Sequence, residues 1–180
     1  MFVGAIEAEF RRWFSLNSPA FAGRTLFVGC SGNFTVEQLV GSVAGQVHSN
    51  DVSIYTHFLG HHLAGQAHEW RIKAAEWKWL APYFDLNPGA AMVLLFELLK
   101  WDPARNAYNR RIHDHMRGSW DSQFAQTVER VEKAKITSRV TSYRSSDIWD
   151  FVDEARGIDR AGIFVAFLPF YRGGYERLYK

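Results

Sequence analysis

Short apolar runs without alternation predict buried strands near both ends of the chain. Residues 25–28 (Thr-Leu-Phe-Val) stop abruptly at Gly29, and residues 162–167 carry no polar side chain. Runs of this length are typical of strands that are covered on both faces, as in parallel sheets. Residues 46–48 predict a further strand between them.

The middle of the chain has the spacing of helices instead. Apolar residues step by three and four in two stripes, over residues 63–77 and 124–134. Turn and cap residues predict further helices, at residues 2–14, from Thr35, at 90–100 after a turn at 87–89, and at 148–155 behind Ser146-Asp147. We therefore expect one α/β domain over residues 1–180, with a Rossmann-like partial parallel sheet and a helical insertion over residues 61–135.

Composition narrows the class of protein. Of 180 residues, 47% are apolar and 22% charged, which excludes a disordered chain. The net charge of +2 argues against a polybasic protein that binds nucleic acid by charge alone. The longest apolar run, residues 90–96, is too short to cross a membrane, and acidic residues interrupt any signal-peptide pattern at the N-terminus. We expect a soluble, cytoplasmic protein without a membrane partner.

The loop after the first predicted strand favours ligand binding. The run Gly29-Cys30-Ser31-Gly32-Asn33-Phe34 joins a strand to a helix, where glycine lets a ligand approach the backbone and the helix offers free N–H groups. Asp51 follows the second strand, where nucleoside-binding α/β folds hold ribose hydroxyls. A tight turn without a ligand and a helix-capping Asp51 remain alternatives. The run lacks the third glycine of dinucleotide binders, which argues against a nicotinamide enzyme.

The stretch after the last predicted strand is the most unusual in the chain. Residues 168–176 combine a proline, several aromatic rings and two adjacent glycines. Such a loop can stack its rings on a flat ligand, and a hydrophobic segment packed on a neighbouring surface is the alternative. Both distinctive loops follow strands, and ligands of doubly wound sheets bind beyond the carboxyl ends of the strands. The sequence therefore predicts a site at that edge.

Together these motifs resemble the adenine-N6 group of the amino-methylating DNA methyltransferases, including its phage-encoded antirestriction members. The resemblance implies S-adenosylmethionine as cofactor, DNA as substrate and a bacterial host cell as the location. It implies that the methionine end lies on Gly29, Ser31, Gly32, Asn33 and Phe34, that Asp51 binds the ribose, and that Asp147 contacts the cofactor adenine. It further implies that the target base is positioned by Phe167, Leu168, Pro169, Phe170 and Tyr171.

Two departures from the family separate an enzyme from a binding protein. The family carries Asp, Asn or Ser followed by two prolines and an aromatic residue, whereas Phe167 and Leu168 stand at the first two positions. Losing one positioned acceptor lowers a rate by about 10²–10³-fold. The family fold also continues past this motif, so the expectation is a C-terminally short domain whose sheet edge is covered by a second copy or another chain. The alternative function is a non-catalytic interaction protein that binds a host restriction or defence component.

The remaining candidate residues give weaker signals. A basic cluster interleaved with Tyr108 and Trp120 predicts DNA contacts. The alternative is that the cluster is simply the solvent-exposed face of a helix. The members of the cluster are Arg105, Arg110, Arg111 and Arg117. His57, His61 and His68 fit no familiar ligand spacing, so no metal site is expected. Cys30 is interpreted as a small packing residue.

Overall fold

The structure is a computed structural model that describes residues 6–167. Its strands are β1 (Thr25–Gly29), β2 (Gln46–Asn50), β3 (Ser142–Arg144) and β4 (Ile163–Ala166). They form one sheet in the order β3-β2-β1-β4, and every neighbouring pair is parallel. This order is that of the first half of a doubly wound sheet, with the topological switch between β1 and β4. The predicted α/β class with a Rossmann-like parallel sheet is confirmed.

The register of the sheet brings three chain segments to one edge. Gly29 pairs with Asn50 on β2 and with Ala166 on β4. The residues that follow these partners, Cys30, Asp51 and Phe167, therefore leave the sheet side by side. This carboxyl edge is where ligands of doubly wound sheets bind.

Helices cover both faces of the sheet. In the part of the chain that the structure describes they are α1 (Ala8–Leu16), α2 (Thr35–Val40), α3 (Ile54–Leu63), α4 (Ala81–Leu86), α5 (Pro88–Leu99), α6 (Ala107–Gly118), α7 (Trp120–Ser138) and α8 (Ile148–Ile158). Two 3₁₀ helices, Ser18–Phe21 and Ala75–Leu80, join them. None of these helices is both long and apolar enough to cross a bilayer.

The two faces of β1 lie in different cores. Leu26 and Val28 join the large core that also holds the buried residues of the α2, α3, α5 and α7 helices. Phe27 points the other way and packs with Phe151 and Ala155 of α8. Since both faces are covered, the strand has no polar residue after Thr25, which explains the continuous apolar run in the sequence.

The predicted apolar stripe over residues 63–77 is not one helix. Helix α3 ends at Leu63, and Gly65 follows with a φ of 66°. A left-handed glycine stops a helix, because its N–H turns back onto the last carbonyls. The chain then runs without helical structure until the 3₁₀ helix Ala75–Leu80. The aromatic ring of Trp70 still packs inward, 5.3 Å from the ring of Phe84.

Other local predictions are confirmed or adjusted at their ends. Asn87 does not form a separate turn but caps α5, and its Oδ1 accepts a hydrogen bond from Ala90 N (2.9 Å). The stripe over residues 124–134 lies on α7 as predicted. The first helix is confirmed as α1, but Phe10 and Trp13 are 50% and 52% exposed rather than buried. Strand β3 was not predicted.

Helix α3 approaches the sheet most closely at Gly60. A Cβ added at Gly60 lies 2.2 Å from Cδ2 of the buried Tyr143 ring on β3. We predict that Gly60→Ala lowers the free energy of unfolding by about 2 kcal/mol, since overpacking costs more than alanine's helix propensity returns. Urea-induced unfolding of the variant and of the wild type measures this difference in the free energy of unfolding.

The matched control for this prediction is Gly118→Ala at the end of α6. A Cβ there meets nothing within 4 Å. This variant should be as stable as the wild type or slightly more stable. Equal stability of the two alanine variants would contradict the close contact between Gly60 and Tyr143.

Candidate functional site

The loop after β1 turns sharply three times. Cys30, Gly32 and Phe34 all have positive φ angles, of 59°, 53° and 55°. Residues other than glycine adopt this conformation rarely and at an energetic cost, so the fold must hold them there. Two backbone hydrogen bonds do so, from Ser31 N to Asn50 O (3.0 Å) and from Phe34 N to Ser31 O (2.8 Å). The ring of Phe34 is fully buried, so only its backbone belongs to the loop surface.

Asp51 fixes this loop to the neighbouring elements. Its carboxylate accepts hydrogen bonds from Gly32 N (3.0 Å) and from Ser53 N (2.8 Å). Its carbonyl accepts a third from the Tyr143 hydroxyl (2.6 Å). Asp51 is not itself the cap of α3, because Ser53 is, with its Oγ accepting from Thr56 N. An ionised carboxylate has further lone pairs, so Asp51 can still accept hydrogen bonds from a ligand's hydroxyls.

The two glycines of the loop have different surroundings. A Cβ at Gly29 lies 2.4 Å from Ile148 Cδ1, so a larger residue there would require the end of the Ile148 side chain on α8 to move. A Cβ at Gly32 finds only the Cys30 carbonyl, 4.0 Å away. The space beside Gly32 is open, and a ligand can therefore lie against its backbone. This open space and the unused acceptors of Asp51 fit the methionine and ribose ends of S-adenosylmethionine.

A second loop, between β3 and α8, is tied to the same edge. The Asn50 side chain donates to Ser146 O and accepts from Ser146 N, each at 3.0 Å. Asp147 caps α8 as the sequence predicted, and its carboxylate accepts a hydrogen bond from Trp149 N (2.8 Å). Its side chain is exposed. Asp147 therefore stands at the carboxyl edge, between Ser146, which is bonded to Asn50, and Ile148, whose side chain lies against Gly29.

Two apolar side chains at this edge were assigned no role from the sequence, although Trp149 lies in the Asp147 segment that carries the family resemblance. Val52 is 55% exposed and Trp149 is 72% exposed. The available signal was their position one and two residues after Asp51 and Asp147, respectively. Exposed apolar groups beside hydrogen-bonding acids suit a flat, partly polar ring such as adenine.

A buried acid lies beneath the glycine loop. Glu37 of α2 is fully inaccessible to solvent, and its Oε1 accepts a hydrogen bond from Ser49 Oγ (2.9 Å). Among the described residues its other oxygen, Oε2, has no hydrogen-bond partner. Burial raises the pKa of Glu37 to about 7, partly offset by hydrogen bonding with Ser31 and Ser49. From the sequence, Glu37 was expected only to lie in the first turn of a helix.

Cys30 has the character of a packing residue. Burial, aided by the negative charge of Asp51, raises the pKa of its thiol to about 11. The thiolate is the nucleophilic form of cysteine, and it is scarce at neutral pH in this setting.

Phe167 makes aromatic contacts where the resembling family has a polar acceptor. Its ring centroid lies 5.7 Å from that of Phe10 and 6.1 Å from that of Phe14, both on α1. The side chain therefore packs β4 against α1. The other four residues assigned to the target base, Leu168, Pro169, Phe170 and Tyr171, lie outside the described residues.

The four candidate DNA-binding arginines are exposed on or next to α6. The guanidinium of Arg117 lies over the Trp79 ring, 4.7 Å from its centroid, which orients this charge. Trp120, which the sequence places among the arginines, is 3% exposed and packs in the core. Tyr108 remains exposed beside the arginines.

The histidines form a cluster beside β3. His57 and His61 share a face of α3, and His68 reaches them from the irregular segment, with ring centroids 4.5–5.3 Å apart. Among residues 6–167, no group of three or more candidate ligands is arranged to hold a metal ion. Burial lowers the pKa of all three histidines, that of His61 to about 4, and their mutual repulsion adds to the effect at His61 and His68.

Comparison with known proteins gives one match. The family model described as Phage DNA Adenine Methylase-like domain 1 matches residues 2–180. No curated protein and no solved structure matches the chain. The match covers both the glycine loop and the stretch after β4.

We predict that the histidine cluster makes the fold sensitive to acid. Because the folded state holds these imidazoles neutral, the unfolded chain binds more protons between about pH 6.5 and 4, and stability falls as the pH drops through that window. His61→Gln should reduce this loss, measured as the difference in melting temperature between pH 7 and pH 5. His115→Gln, on an exposed position of α6, is the control. An unchanged loss in His61→Gln would show that the cluster does not titrate with unfolding.

Proposed function

Because the chain belongs to the phage DNA adenine methylase-like family, we propose that it binds S-adenosylmethionine and methylates the N6 amino group of adenine in DNA. The observation that carries the proposal is the carboxylate of Asp51, held against the open backbone of Gly32 at the carboxyl edge. An acceptor and an accessible loop backbone at this place suit a nucleoside cofactor.

Each part of the cofactor has a matching group at this edge. The loop residues Gly29, Ser31, Gly32, Asn33 and Phe34 would hold the methionine end through their backbone. Asp51 would accept hydrogen bonds from the ribose hydroxyls, and Asp147 would accept one from the adenine amino group. Val52 and Trp149 would enclose the adenine ring. When bound, the cofactor supplies an activated methyl group.

DNA would be held by charge and the target base by the stretch after β4. The exposed guanidinium groups of α6 and its preceding loop would contact phosphates, and these are Arg105, Arg110, Arg111 and Arg117. Phe170 would stack on the flipped adenine, and the Leu168 carbonyl would accept from its amino group. Phe167 offers no second acceptor, so we expect slow transfer.

We predict that the wild-type chain binds S-adenosylhomocysteine and that Asp51→Ala weakens this binding at least tenfold. The variant loses hydrogen bonds to a charged acceptor, each worth about 1.5–3 kcal/mol, and releases the loop. Isothermal titration calorimetry measures both affinities.

The control is Asp114→Ala, which removes an exposed carboxylate from α6 and should bind like the wild type. Circular dichroism establishes that both variants fold. Absence of wild-type binding at millimolar ligand would contradict the proposed cofactor.

The packing of Phe167 favours a second candidate function. A residue committed to aromatic contacts with Phe10 and Phe14 supports the fold rather than chemistry. The second candidate is therefore a non-catalytic protein of the same family, which binds a host restriction or defence component.

The double variant Phe167→Asn with Leu168→Pro separates the two functions. It restores a family-like motif with a neutral acceptor, so no charge is placed against the α1 rings. If the chain is a slow enzyme, methyl incorporation into DNA should rise by about 10²-fold or more. Phe167→Leu, which removes the ring without adding an acceptor, is the control. No gain in a folded double variant that still binds S-adenosylhomocysteine would favour the interaction protein.

A further inference from the structure

Two acids lie next to the glycine loop. Asp51 accepts the Gly32 N–H at the surface, and Glu37 lies buried beneath the loop against Ser49. The hydroxyl proton of Ser31 points to Val28 O (3.2 Å), although Ser31 also neighbours the Glu37 carboxyl. Because one hydroxyl proton cannot serve both acceptors, Glu37 is short of donors when ionised. Its Oε2, without a partner among residues 6–167, is the atom at which a proton would reside.

The surroundings of Glu37 disfavour its negative charge. Ser31 in the loop and Ser49 on β2 face it with neutral hydroxyls, and Asp51 is the charged group that acts on it. No cation in the described part of the chain contributes to its titration. Burial raises the pKa of Glu37 to about 7, so the protonated and ionised forms have similar free energies near neutral pH. A small change of charge nearby therefore shifts the balance between them.

Replacement of a cationic ligand by a neutral one on the glycine loop is such a change of charge. We propose that Glu37 couples proton binding to the charge of the ligand on the glycine loop, being ionised beside the cationic S-adenosylmethionine and protonated beside the neutral S-adenosylhomocysteine. This inference rests on the proposed function. In this proposal a buried residue distinguishes S-adenosylmethionine, the methyl donor, from S-adenosylhomocysteine, the product.

The charge difference between the two ligands is fixed by their chemistry. When the methyl group leaves, sulfur keeps the electron pair of the broken S–C bond, and a proton departs from the methylated amino nitrogen. The ligand on the loop thereby loses one positive charge. Glu37 then takes up a proton from solvent. The affinity for S-adenosylmethionine relative to that for S-adenosylhomocysteine should consequently rise with pH, as Glu37 becomes ionised.

Calorimetric proton counting tests this coupling. We would titrate S-adenosylmethionine and S-adenosylhomocysteine separately into the wild-type chain near pH 7, in buffers of different ionisation enthalpy. In the wild type, S-adenosylmethionine should bind with release of more protons than S-adenosylhomocysteine, by up to about one proton. Glu37→Gln should abolish the difference and shift relative affinity toward S-adenosylhomocysteine by about tenfold for each pK unit of coupling lost. Glu129→Gln, on an exposed position of α7, is the control and should behave as the wild type.

The outcomes separate this inference from the proposed function. Equal proton counts for the two ligands in the wild type, or a difference that persists in Glu37→Gln, would overturn the coupling while leaving cofactor binding intact. If neither ligand binds, the proposed function fails together with the inference.

A measurement without ligand protects the test against a misfolded variant. Because the folded-state pKa of Glu37 is raised, the folded chain binds more protons than the unfolded chain between about pH 4.5 and 7. The contribution of Glu37 to stability is therefore present at low pH and is lost as the pH rises through this window. Glu37→Gln should lack that loss, and an identical pH dependence in both proteins would overturn the titration of Glu37.

Discussion

The carboxylate of Asp51 is the constraint on which the candidate site depends. It accepts the N–H groups of Gly32 and Ser53, and its backbone carbonyl accepts the hydroxyl of Tyr143. The loop after β1, the start of α3 and the strand β3 are thus all attached to one residue at the end of β2. The left-handed backbone at Cys30 and Phe34 is costly alone, and these contacts hold the loop in a single shape. A preformed loop loses less entropy when a ligand binds.

The irregular segment after α3 supplies a hydrogen-bond acceptor to the edge strand β3. Gln66 lies one residue beyond the left-handed Gly65, and its side chain accepts a hydrogen bond from Tyr143 N (2.8 Å) on β3. A continuous helix would carry Gln66 along the axis of α3 and leave this edge N–H without that acceptor. Edge strands with free N–H groups invite pairing with other chains. The end of α3 at Leu63 therefore protects the short strand that positions Tyr143 against Asp51.

Sequence patterns predicted the elements whose stability is local. The run of β1 is apolar because helices cover both of its faces, whereas β4, predicted as a buried strand, lies at the sheet edge with Phe164 38% exposed. The caps at Asn87 and Asp147 act on N–H groups two or three residues away. Strand β3 was not predicted because three residues are too few to show a periodic pattern, and because side chains distant in the sequence stabilise the strand. The burial of Glu37 on helix α2 was not predicted for the same reason, since its hydrogen-bond partner Ser49 lies on strand β2.

Phe167 occupies a position where packing and chemistry compete. Its ring fills the space between β4 and the Phe10 and Phe14 rings of α1, a contact that a short polar side chain cannot make. An aromatic side chain has no atom that accepts the amino proton of adenine strongly, so the orientation of that nitrogen must come from backbone carbonyls and stacking. Such a site retains its cofactor loop, which depends on Asp51 and not on Phe167. Under the proposed function, cofactor binding and catalytic efficiency rest on separate residues, and the first can persist when the second is weak.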